Sequence, residues 1–347
     1  MPKDNENAPF QFSATDGSIE PPAPRSFAPT EMVRCESCLR ANPPTRVNCL
    51  YCAASLPATE STIDFQKPAL RPLEKWERGY NNIFLPPSAN LSEAALAEAA
   101  DALKLAVADL SRILAADAPL PLARAATIDE ASLVRRRLSK LEINTVIVAD
   151  SDLGLGELAP FKVRAIETDD AAITAHQTPE TPPKVILWPA VVLLVVGRLI
   201  VKRVELKEQK GGRAENRISD ASEFFSDELV LELYTNQQPL PYRIQANSFD
   251  FSCLGERKGL LAHQNMSTLV DLFRTRAINA EFDDSYSSLR QALDAVWPCE
   301  QQNESRGWRR EGPGRLSLGT VNEISNESQF SRYSRLRFYL KRRSDEA

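Results

Sequence analysis

Four of the six cysteines in this 347-residue chain, Cys35, Cys38, Cys49 and Cys52, follow the spacing Cys-x2-Cys-x10-Cys-x2-Cys. A Cys-x2-Cys turn directs two sulfurs at one point. Two such turns joined by a ten-residue loop can close a tetrahedron around Zn(2+) at Zn–S distances of about 2.3 Å. Four thiolates leave no open coordination position, so the expected ion is structural. A module of roughly 25 residues has no core of its own, and the metal is expected to supply most of its folding free energy. Two disulfides are the competing pairing. The leading MPKDNENAPF shows neither a basic start nor an apolar run, so we expect no secretion signal and a reducing, cytoplasmic setting.

Other chemistry is sparse. Cys253 precedes His263 by ten residues, and a thiolate with a nearby imidazole is the minimum for a thiol enzyme. The alternative is a buried cysteine and a histidine that opens a helix. Only His176 and His263 occur, so histidine-dependent catalysis has few players. Asp250, Glu281, Asp283 and Asp284 are candidate carboxylates, with Asp283-Asp284 read as the cap of a following helix. Gly154-Leu155-Gly156 and Gly211-Gly212 lack what a phosphate loop requires. Between 306 and 347 there are ten Lys or Arg and five acids, a net charge of +5. Arg332, Arg335 and Arg337 alternate there with Tyr333 and other aromatics, a pattern able to track a nucleic-acid backbone and stack on bases. Phe330, Tyr333, Leu336 and Leu340 also share helical spacing, which would dock the aromatics and leave the arginines in water.

The elements that carry these residues read as follows. Residues 1–32 are polar and proline-rich and are expected to be disordered. Residues 33–57 hold the cysteines. Residues 58–89 form a proline-bearing linker in which Trp76, Tyr80 and Phe84 lie four apart. Residues 90–175 form a small α/β domain: a helix capped at Asn90, a second opened by the capping box Thr127-Ile128-Asp129-Glu130, a buried strand at 143–149 and another at 161–167. The proline-rich 176–184 is a linker. Residues 185–299 form an α+β domain, with strands at 190–196 and 199–206 joined by a Gly197-Arg198 hairpin turn. After a polar loop at 210–222 come strands at 229–234 and 242–249, then helices near 263–276 and 286–297. Residues 300–347 form a basic tail with a loose loop and a terminal helix or strand. No internal repeat is visible. The fold class is thus α+β multidomain: a four-Cys zinc ribbon, a small α/β domain, then an antiparallel sheet capped by helices. A pleckstrin-like barrel with a capping helix is one arrangement that would fit.

The fuller string Cys35-x2-Cys38-x3-Asn42-x6-Cys49-x2-Cys52, with Arg46 three residues before the third cysteine, resembles the RanBP2-type zinc finger. It is similar also to short bacterial zinc ribbons, through Asn42-Pro43 and Leu56. The resemblance covers under a tenth of the chain. It implies a zinc fold that binds single-stranded RNA or ubiquitin or docks other proteins; in the RNA reading Asn42 and Arg46 would act with the basic tail. The RNA-binding members carry a base-stacking Trp just before the first cysteine, whereas Val33 stands two residues before Cys35 here. Leu39 and Ala53 occupy the positions after each knuckle where glycine is usual. The expected function is a non-enzymatic zinc protein whose finger docks an unidentified protein partner. Single-stranded RNA binding and a thiol enzyme at Cys253 are the alternatives. The net charge of -5 gives no global attraction to nucleic acid or anionic lipid. The longest apolar run, 185–196, is interrupted by Pro189 and is about half of what a membrane span needs.

Overall fold

The computed structural model describes residues 27–54, 56–57, 68, 70–87, 91–155, 159–209, 217–312 and 315–346. The side chains of 208–209, 217–220, 306, 308–312 and 315–318 lie outside this description. So do residues 1–26 of the segment 1–32 expected to be disordered, the Asn90 cap, most of 58–69 and the glycine-containing 210–216. The chain divides into two units, Met1–Pro57 and Ala58–Ala347. In the first, β1 (Val33–Arg34) and β2 (Ala41–Asn42) pair antiparallel, with Val33 opposite Asn42.

The second unit begins within the expected linker. β3 (Tyr80–Phe84) is the middle strand of an antiparallel sheet, between β4 (Leu120–Ala125) and β5 (Thr145–Ala149). Two asparagines hide it from pattern reading, yet both are fully buried. Asn81 Nδ2 donates to Val148 O and to Asp150 Oδ1, Trp297 Nε1 donates to Asn81 Oδ1, and Asn82 Nδ2 donates to Ala131 O. Tertiary partners take up the whole Asn81 amide and the Asn82 Nδ2, so both side chains sit in the core, while Asn82 Oδ1 is buried without a hydrogen-bond partner.

The expected long helix is two, α1 (Glu93–Leu103) and α2 (Val107–Ala115), separated where Lys104 takes φ +55°. The α1 cap is Ser92, whose hydroxyl accepts from Ala95 N. α3 (Ile128–Lys140) opens on the expected capping box. Thr127 accepts from Glu130 N, and the Glu130 carboxylate accepts from Ala126 N. These helices bury Ala99, Leu103, Leu110, Ile113, Ala131, Val134 and Leu138. Each buried leucine contributes about 2 kcal/mol.

The strand expected at 161–167 is split between sheets. β6 (Phe161–Val163) joins the main sheet, and β7 (Ala165–Thr168) pairs with β8 (Ala172–His176), which pairs with β9 (Lys184–Leu187). The proline-rich 176–184 therefore connects adjacent strands of one sheet and does not separate domains.

β10 (Val191–Gln209) and β11 (Arg217–Thr235) are each 19 residues long. No hairpin turn occurs at Gly197-Arg198: Gly197 pairs with Val230 in mid-strand. A Cβ there would stand 2.4 Å from Phe330 Cε2, so the glycine admits a ring and does not turn the chain. β12 (Tyr242–Gln245) follows, then α4 (Ala262–Arg276), β13 (Glu281–Asp283), α5 (Tyr286–Asp294), β14 (Glu300–Gly312), β15 (Arg315–Ser325) and α6 (Glu327–Asp345). The sheet runs β14-β15-β10-β11-β12-β6, with β13 parallel to β10. It is open, so the barrel arrangement does not hold. Within the segments expected as loops at 210–222 and 300–323, the described residues 217–222, 300–312 and 315–323 are strand. Their polar sequence fits the distal part of the sheet, where residues 221–225 are exposed.

One core joins Ile83, Leu122 and Val148 to Leu193, Val195, Leu293 and Phe330, so segments expected in separate domains share a single interior. A second gathers β7–β9, α4 and the inner ends of β10 and β11. The fold is mixed α+β with several sheets and an N-terminal four-cysteine cluster. Among the described residues no helix is long and apolar enough to cross a membrane.

Candidate metal centre

The cysteine module is built twice over. In the first knuckle Leu39 N donates to Cys35 O and Cys35 N to Arg40 O. In the second, fourteen residues on, Ala53 N donates to Cys49 O and Cys49 N to Ala54 O. The repeat extends outward: Val33 pairs with Asn42, and Leu56 N donates to Val47 O. Leu39 and Ala53 take φ +59° and +57°, the left-handed turn for which glycine is favoured. The geometry persists without glycine, at a cost of about 1–2 kcal/mol per residue.

The two knuckles bring all four Sγ atoms within 4.8 Å of one another. Cys35 Sγ lies 3.6 Å from Cys52 Sγ, and Cys38 Sγ lies 3.5 Å from Cys49 Sγ. A disulfide requires about 2.05 Å. A tetrahedron with bonds of about 2.3 Å has edges of about 3.8 Å. The spacing thus suits four thiolates around one ion and does not suit two cystines, and all four thiols are free. Val33, Cys35, Cys49 and Leu56 form the small buried cluster behind them.

Crowding splits the acidities of these thiols. Hydrogen bonding from the Cys38 backbone leads in lowering the pKa of Cys35. Desolvation raises that of Cys49, but the backbone amides of Tyr51 and Cys52 outweigh it and bring it down to about 6. The Ala54 amide lowers that of Cys52, yet the neighbouring sulfurs, led by Cys38, push it up to about 12. The first thiolate forms easily and the last only against its neighbours' charge. A divalent cation at the centre removes that repulsion.

Asn42 belongs to this centre and not to a nucleic-acid surface. It is fully buried. Its Nδ2 donates to Arg40 O at 3.0 Å and to Cys49 Sγ at 3.5 Å, and its Oδ1 accepts from Leu50 N at 2.8 Å. It ties one knuckle to the other and orients a sulfur. Arg46 is exposed, at the turn in which its N–H bonds Pro43 O.

The basic-tail residues do not form a common surface. Arg332 Nη1 donates to Asp150 Oδ1 at 2.9 Å. Tyr333 is buried and its hydroxyl donates to Asp283 Oδ2, so its ring has no face for a base. Arg335 is buried and bonds the carbonyls of Leu153 and Gly154. Arg337 pairs with Glu281 and Asp283. Arginines expected in water are thus turned toward acids and carbonyls, while Phe330 and Leu336 dock as expected.

Cys253 sits in a 3-10 segment with its pKa raised, first by burial and then by the charge of Asp250. An activated nucleophile needs the opposite shift. The charged groups that act on it most are Asp250, Lys258 and Arg257. Asp283 accepts from Ser285 N at the start of α5, and Asp250 from Ser252 N.

The knuckles leave three large side chains outside. Leu39, Leu50 and Tyr51 are 64%, 51% and 55% exposed, and the Arg40 guanidinium lies 4.7 Å from the centre of the Tyr51 ring. The signal was present: large apolar residues stand at knuckle positions that small residues would fill. No protein-family model, no curated protein and no solved structure matches this chain.

Proposed function

We propose that this is a non-enzymatic zinc-binding protein whose N-terminal module docks a protein partner. The observation that carries the reading is the trio Leu39, Leu50 and Tyr51, held in water by a module too small to cover them. Apolar and aromatic groups on a rigid, metal-braced support are what protein interfaces use as anchors. The zinc would be held by Cys35, Cys38, Cys49 and Cys52, fixing the knuckles and taking part in no reaction. The RNA alternative loses support, because Asn42, Arg332, Tyr333, Arg335 and Arg337 spend polar atoms inside the protein. The thiol-enzyme alternative loses support because burial and Asp250 raise the pKa of Cys253.

The test is affinity capture from the native host with full-length protein, wild type and Leu39→Ser/Tyr51→Ser, after both are shown to hold equal zinc. We expect defined proteins to be captured by the wild type and lost from the variant. Identical capture by both, or recovery of RNA in place of protein, would overturn the reading.

A further inference from the structure

A cavity of about 480 Å³ opens between β4, the turn after α1, and the segment from Ala295 to Gln301. That is the size of a small-molecule site. Leu70, Leu103, Leu122 and Trp297 line its apolar side. Five cationic side chains also line it, Arg71, Lys75, Lys104, Arg124 and Arg332, against one carboxylate, Glu300.

Some of that charge is matched. Arg71 pairs with Glu77, and Lys75 Nζ lies 3.5 Å from Glu300. Lys104 Nζ donates to Leu70 O, a neutral carbonyl. Arg124 and Arg332 share a single buried carboxylate: Asp150 Oδ2 takes Arg124 at 2.5 Å, and Asp150 Oδ1 takes Arg332 at 2.9 Å. The Arg124 and Arg332 side chains are only 14% and 19% exposed. Against the carboxylates that ion-pair with them, Glu77, Glu300 and Asp150, the five cations outnumber their partners by two: Lys104 bonds a carbonyl, and Arg124 and Arg332 divide one carboxylate. Burial, together with the charge of Arg124, lowers the pKa of Arg332 despite the attraction of Asp150. A second guanidinium on one carboxylate, partly desolvated, is costly unless another anion is supplied.

We infer that this cavity binds a small soluble amphipathic oxyanion, a carboxylate or phosphate monoester on an apolar body. The anionic head would meet Arg332, Arg124 and Lys104, and the body would lie against Leu70, Leu103 and Trp297. The larger cavity, about 550 Å³ beside Arg335 and Arg342, makes a weaker case: Arg335 is committed to backbone carbonyls and Arg342 pairs with Glu346.

The experiment is calorimetric titration of the full zinc-loaded chain with octyl phosphate, octanoate, inorganic phosphate and octanol. We expect one saturable site for octyl phosphate or octanoate, at least tenfold tighter than for inorganic phosphate or octanol. Lys104→Gln, which leaves the Asp150 cluster intact, should weaken it at least threefold. Ala295→Phe, which fills the cavity, should abolish it with thermal melting of the chain retained. Arg332→Gln should weaken it at least tenfold. No saturable binding of either amphiphile, equal binding of octanol or inorganic phosphate, or binding unchanged in Ala295→Phe would overturn the proposal.

Discussion

Asn42→Ala separates a metal-supporting role from a ligand-binding one. The substitution removes an N–H donor to the Cys49 sulfur at 3.5 Å and the acceptor of Leu50 N at 2.8 Å, both in a fully buried position. A hydrogen bond to a charged group is worth about 1.5–3 kcal/mol, and an orphaned buried donor costs about 1–3 kcal/mol. Local relaxation and water recover part of this, leaving a net loss of about 2–3 kcal/mol. Folding of so small a module is coupled to its metal, so the loss emerges as zinc affinity. At 1.4 kcal/mol per tenfold, the dissociation constant for zinc should rise about 30- to 150-fold. Competition with a chromophoric chelator, run on wild-type and variant chains at one pH, reads this directly. Wild-type affinity within threefold would refute the supporting role of Asn42. Asn42→Asp should bind zinc more weakly still, because it sets a negative charge beside four thiolates.

Protons should compete with the metal for all four thiolates: the neighbouring amides that lower Cys49 ease the first deprotonation and the sulfurs that raise Cys52 oppose the last, so zinc affinity should fall steadily as pH is lowered from 8 to 4. Zinc affinity unchanged between pH 8 and pH 4 would contradict this. Gly197→Ala would drive a Cβ to 2.4 Å from the Phe330 ring, an overpacking worth about 1–3 kcal/mol, seen as a lower melting temperature. An unchanged melting temperature would show that Phe330 has room to move. Arg243→Met leaves Glu232 buried without its partner, both side chains being 1% exposed, and should cost about 3–5 kcal/mol in denaturant unfolding. Adding Glu232→Leu should recover much of that loss, and failure to do so would show that the pair contributes net stability.

What could be read from sequence follows the range of the interactions involved. The four cysteines, the Thr127 cap and the apolar face of α6 are local patterns, and each appears in the structure where the spacing puts it. β3 was hidden because Asn81 and Asn82 look like loop residues until Val148, Asp150 and Ala131 arrive from 49 to 69 positions away. Gly197 resembles a turn residue because nothing nearby announces a phenylalanine 133 residues later. Residues 221–225 of β11 and 301–305 of β14 are exposed in succession, so alternation gives no sign of these strands. At the metal centre the ligands were legible and the role of Asn42 was not. Its string position marked it as notable, but only the fold shows that its amide turns inward.

Native mass spectrometry of the reduced, intact chain tests the four-thiolate centre most directly. One zinc ion per chain is expected, lost together with four-cysteine protection from alkylation when the metal is chelated. A chain carrying no zinc whose Cys35, Cys38, Cys49 and Cys52 alkylate freely beforehand, or one joined at these positions by cystines, would contradict it.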